Sequence, residues 1–107
     1  MGFFTGPSDE YLEKMSIGIN SNMFQLILIE DLISHDRQEI EREMARRGLA
    51  TSVKSLTDDV VQIIKDHNMG MWKRGRFLAK IQGGLLAGGL ETAKANEFVT
   101  EINNRTR

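Results

Sequence analysis

Apolar residues recur at three- and four-residue spacing along most of the chain, the period of a helix with one buried face. Pro7-Ser8-Asp9-Glu10 is a helix start: Ser8 can accept a hydrogen bond from an orphan amide of the first turn, and two acids favour the positive end of the dipole. Leu12, Met15 and Ile19 follow at helical spacing, whereas Gly18 and the Asn20-Ser21-Asn22 cluster weaken the helix and are candidates for its end. Residues 23–33 (MFQLILIEDLI) are apolar on almost every side. Such a run suits a buried strand or a buried helix. Helical neighbours, and the lack of a second strand-like run to pair with it, favour a central helix enclosed by the others.

Residues 36–47 (DRQEIEREMARR) are strongly helical. Asp36 and Glu39 have capping-box spacing; a Ser34 cap, or an unbroken helix from residue 22, is the alternative. Arg37 with Glu41 and Glu43 with Arg47 are opposite charges four apart on an exposed face, Ile40 and Met44 mark the inner side, and Gly48 is a stop. Val53, Leu56, Val60, Ile63, Ile64 and His67 form the next stripe, with Asn68 and Gly70 at its end. A further helix begins near Met71 and turns Phe77, Leu78, Ile81 and Leu85 inward. After the glycines at 83–89 a last one carries Ala93, Phe98, Val99 and Ile102. No β-hairpin signal, repeat or long linker appears. The expectation is all-α: one domain over 1–107, a small bundle of four to five helices.

Composition narrows the classes. The chain has 107 residues, enough for only a small core, so oligomerisation is a natural way to hide more apolar surface. No cysteine is present, which excludes a disulfide scaffold and cysteine-based zinc sites and suits a reducing cytosol. The opening MGFFTG lacks the basic region of a signal peptide and has Gly6 where myristoylation requires Ser or Thr. The longest uncharged run, residues 15–29, is polar in places and shorter than the ~20 residues a spanning helix needs. A soluble, cytoplasmic protein is expected.

The net charge of −1 hides an asymmetry: residues 1–66 carry 7 Lys/Arg against 12 Asp/Glu (−5), and residues 67–107 carry 7 against 3 (+4). The halves can pair with each other, within or between chains, or the basic half can take an external anion.

Candidate chemistry concentrates in residues 71–90, MWKRGRFLAKIQGGLLAGGL. Trp72, Lys73, Arg74, Arg76 and Lys80 combine cations with a stacking face, as a phosphate-bearing ligand or nucleic acid requires. The bland alternative is a solvated face, or salt bridges to the acidic 39–43 region. A helix-turn-helix centred on Gly70 fails, because Asp66 and Arg76 would fall where small and aliphatic residues are needed. In the glycine half, a plain turn at Gly88-Gly89 or Gly83-Gly84 is the leading reading; Gly83 and Ala87, and Gly84 and Gly88, are also four apart, a spacing that suits close helix packing as the alternative. No P-loop lysine follows, so a phosphate cradle is disfavoured.

Asp31, His35, Glu39 and Glu43 recur along one face, but a single histidine is a poor metal site, and His67 suits a structural place at a helix C-terminus. No catalytic constellation, metal site or cofactor is expected. The reading is a small non-enzymatic binding protein acting as a homo-oligomer or by docking onto a partner protein. Its contact would use Phe77, Leu78, Ile81, Gly84, Leu85, Leu86 and Gly88. The alternative is a binder of nucleic acid or a phosphate-bearing small ligand through residues 72–80.

Overall fold

The computed structural model describes residues 7–33 and 35–107. The opening MGFFTG and the alternative cap Ser34 lie outside them. The described residues form five helices in the order α1 (Asp9–Leu32), α2 (Arg37–Arg46), α3 (Val53–Asp66), α4 (Met71–Ala87) and α5 (Thr92–Thr106), and no strand. The expected all-α bundle is the fold observed.

Helix starts follow local chemistry. Ser8 accepts from the Tyr11 amide at 3.2 Å, Asp36 from the Gln38 amide at 3.0 Å, and Ser52 from the Ser55 amide at 3.0 Å. Helices α2, α3 and α4 all stop in one way. Gly48, Asn68 and Gly89 take positive φ (74°, 50° and 97°). The next residue then donates its amide to a carbonyl five back: Leu49 to Met44, Met69 to Ile64, Leu90 to Leu85. This is the Schellman arrangement, in which the left-handed residue lets the chain turn back and the following apolar side chain packs on the helix just ended. Met69 is buried and Leu49 and Leu90 are half-buried, as that packing requires.

The break expected near Gly18 and Asn20-Ser21-Asn22 does not occur; α1 runs through it for 24 residues. The reason is tertiary. Asn20 and Asn22 are buried and aim their amides at other segments rather than at their own backbone. Asn20 Nδ2 donates to the Ile81 carbonyl at 3.2 Å. Asn22 donates to the Ala50 carbonyl at 3.1 Å and accepts from the Ala50 amide at 2.8 Å, which pins the loop after α2 to α1. Asparagine disfavours helix when its amide competes for local backbone, and here that competition is removed.

Helices α1, α3, α4 and α5 enclose the main core around Leu12, Val60, Phe77, Ile81, Leu85 and Ile102, all fully buried or nearly so. A second, smaller core joins Leu26 and Ile29 of α1 to Ile40 and Met44 of α2. Two inward assignments shift by a position or two. Val53 is exposed while Thr57 and Val61 are buried, and Ala95 rather than Ala93 faces in.

Residues 23–33 are not enclosed. Met23, Leu26 and Ile29 are buried, but Leu28, Leu32 and Ile33 are exposed. Ile27 still packs against the main core and α2 covers the side of Leu26 and Ile29, but neither covers the side that carries Leu28, Leu32 and Ile33.

Candidate functional site

Helices α1 and α4 run parallel, and the contacts rise along both in step: Asp9 with Arg76, Glu13 with Lys80, Asn20 with Gly84, Phe24 with Gly88. This register decides what residues 71–90 can do. Arg76 reaches Asp9 in a two-pronged contact at 3.1 and 2.5 Å, and Lys80 meets Glu13 at 3.1 Å. Arg74 lies on another side of α4 and donates to the Thr106 carbonyl at 2.7 Å, satisfying one of the free acceptors at the end of α5. The oppositely charged halves therefore meet inside the chain, and Arg105 with Asp58 at 2.8 Å adds a third such pair. The acidic 39–43 region is not the partner: Glu43 is held by Arg46 and Arg47, which depress its carboxyl below the usual range through hydrogen bonds.

Of the five residues expected to bind phosphate, Trp72 and Lys73 keep no polar partner among the described residues, and Trp72 is exposed. Arg74, Arg76 and Lys80 are already engaged. The helix-turn-helix reading fares no better, since Asp66 and Arg76 are both at the surface.

The glycine segment resolves into both of its readings. It is helical to Ala87, and the turn comes at Gly88-Gly89. Gly84 and Gly88 face α1: a Cβ on Gly84 would collide with the Asn20 amide, and one on Gly88 would lie 2.5 Å from the Phe24 ring. Gly83, the other phase of the repeat, faces open space. The close contact is thus an intrachain one. Phe77, Leu78, Ile81 and Leu85 are buried in the main core, so a contact between copies cannot use them without opening it. Leu86 alone of the apolar set is exposed.

His67 ends α3, with Nδ1 2.9 Å from the Ile63 carbonyl and its ring 5.6 Å from that of Tyr11. Both contacts are structural. No cluster of three or more acids and histidines able to hold a metal exists among the described residues, and no described helix is long and apolar enough to cross a membrane.

Besides single exposed side chains such as Ile17 and Leu86, apolar surface without a cover gathers in two settings among the described residues that sequence spacing does not reveal. One is a cleft of about 550 Å³ between α1, α3 and α5, walled by Met23, Ile27, Val53, Leu90 and Phe98. Its rim balances Glu30, Glu97 and Glu101 against Lys54, Lys94 and Arg105, so it selects no ligand charge. The other is at the two ends of the molecule. Leu28, Leu32 and Ile33 are 52%, 74% and 66% exposed at the far end of α1, and Met71 and Trp72 are 80% and 76% exposed at the start of α4.

The fold and surface define a class: a bundle of five helices among the described residues, with half of its cations in ion pairs within the chain and its most exposed apolar residues, Met71, Trp72, Leu32 and Ile33, near the start of α4 and the end of α1. Neither a protein-family model, nor a curated protein, nor a solved structure matches the chain.

Proposed function

We propose that this chain is a small, non-enzymatic helical interaction protein of the cytoplasm, acting by self-association or by docking onto a partner protein. The observation that carries the reading is the uncovered last part of α1, where Leu28, Leu32 and Ile33 stand in solvent. Burying each such side chain is worth roughly 1.5–3 kcal/mol, and a partner can supply that cover where the chain does not. The contact predicted from sequence moves accordingly, from the buried face of α4 to the exposed end of α1.

The test is a photo-crosslinking residue at position 32, irradiated both in purified protein and in the cells that make the chain, together with absolute mass by light scattering at micromolar concentration. The expected result is a discrete crosslinked species that a surplus of unlabelled chain competes away. A monomeric mass combined with no crosslinked species in either setting refutes the reading.

A further inference from the structure

We infer that the partner is a second copy of this chain, bound end to end: the basic end of one molecule seats on the acidic end of the next. The inference rests on the interaction reading above and names its occupant.

The molecule measures 49 × 26 × 24 Å, a short rod. Because α1 and α4 run parallel with Asp9 level with Arg76, Trp72 lies one turn before the start of α1. Leu32 lies 23 residues after Asp9, and at 1.5 Å per residue the two patches are ~40 Å apart along the rod. They therefore occupy opposite ends.

Both ends are apolar and their charges are opposite. Residues 28–42 hold Glu30, Asp31, Asp36, Glu39 and Glu41 against Arg37 and Arg42, a formal balance of −3. Residues 69–76 hold Lys73, Arg74 and Arg76 and no acid, +3, which becomes +2 once Asp9 is counted against Arg76. Arg74 keeps its charge because its acceptor, a backbone carbonyl, is neutral. Like ends repel and unlike ends attract, so the charges favour head-to-tail contact and disfavour a symmetric pairing of two equal ends.

The far end of α1, packed mainly with α2, is narrower than the 26 × 24 Å section of the whole rod, so the contact is smaller than a standard interface and correspondingly weak. Each end is used once and the surfaces differ, so the contact does not close on itself and short chains of molecules grow with concentration.

Two variants test it. Leu32→Lys disables the acidic end and Trp72→Glu the basic end. Each places its new charge where the helix dipole favours it, the last turn of α1 and the first turn of α4, so the fold is retained and circular dichroism checks this. By sedimentation velocity, the wild type at low salt is expected to shift to larger species between about 10 and 500 µM, and less so at high salt. Each variant alone stays monomeric, weakened at least about tenfold. Their equimolar mixture forms a dimer and nothing larger, since each supplies the end the other lacks. Should either variant lose helix content, Leu28→Lys and Met71→Glu repeat the test at neighbouring exposed positions.

Association of either variant alone like the wild type, or a mixture that stays monomeric, overturns the proposal. So does a wild type that is monomeric throughout. In that last case a crosslinked partner at position 32 preserves the interaction reading, and its absence removes both.

Discussion

Gly83 and Gly84 are adjacent in sequence, both exposed and both inside α4, yet alanine at the two positions should change stability in opposite directions. Alanine is preferred over glycine in a helix interior by roughly 0.8–1 kcal/mol. At Gly83 a methyl group meets nothing within 4 Å, so Gly83→Ala should keep most of that gain. At Gly84 the methyl would overlap Asn20 Nδ2. The Asn20 side chain has little room to retreat: it is only 8% exposed, its amide is tied to the Ile81 carbonyl, and its Oδ1 is already buried without a partner. Overpacking of this kind costs about 1–3 kcal/mol, and losing the amide bond costs a further ~1 kcal/mol. Set against the helix gain, Gly84→Ala should be destabilising by about 1–3 kcal/mol.

Urea unfolding followed by circular dichroism reads both changes. For a domain of this size 1 kcal/mol corresponds to about 4–8 °C in Tm, so the two variants should sit on opposite sides of the wild type. A double-mutant cycle isolates the contact: with Asn20→Ala in place, Gly84→Ala should lose most of its penalty, a coupling of about 1–2 kcal/mol. If Gly84→Ala raises stability as much as Gly83→Ala does, α1 and α4 do not meet in this parallel register. The charge pairs and the placement of the two ends would then fall with it.

Three further outcomes follow from the same geometry. Asn22→Ala should leave both backbone groups of Ala50 without their partner, costing about 1–3 kcal/mol, and should speed hydrogen exchange at the Ala50 amide well beyond that of the α4 amides; unchanged exchange there would contradict the pinning role. Glu43 titrates below its ordinary value because Arg46 and Arg47 hydrogen-bond to its carboxylate. Its contribution to α2 is therefore full above the unfolded carboxyl pKa and is lost as pH falls through the lowered folded value. The Glu43→Gln variant should lack that acid-side step in a chemical-shift titration of α2, and an identical profile would rule the coupling out. Replacing Arg76 and Lys80 together by Gln removes two partly exposed ion pairs and should cost no more than about 1 kcal/mol each, a loss that shrinks in 1 M salt; a salt-independent loss would mean that packing of their stems, not charge, is what they provide.

How far residues 71–90 could be read in advance depended on the reach of each signal. Helical spacing correctly placed Phe77, Leu78, Ile81 and Leu85 inward, because a 3.6-residue period is a property of one segment. The same period could not say what the inward face packs against, so a core face was read as a contact between molecules. Charge asymmetry pointed to pairing of the halves, and the pairing is there, but with Asp9 and Glu13 rather than residues 39–43. A usable signal was present: Asp9 and Glu13 are four apart, as are Arg76 and Lys80, a match that parallel neighbours require. Nothing local states which helices are neighbours, so the match has no meaning until the chain folds. Asn20 and Asn22 misled for the opposite reason. Their local preference is against helix, and only partners 28 and 61 residues away reverse it.

By itself the sequence determined the all-α class and the caps and stops of most helices, though not the unbroken run of α1. Periodicity, Ser8, Asp36 and the Gly48, Asn68 and Gly89 turns act within a few residues, where chain connectivity already holds the interacting groups together. Tertiary structure decided the parallel pairing of α1 with α4, the pairing of Arg76 and Lys80 with Asp9 and Glu13, and the exposure of Leu28, Leu32 and Ile33. Those outcomes depend on which surfaces are left after five helices share a core too small to cover all of α1, a question of packing geometry that no local pattern encodes.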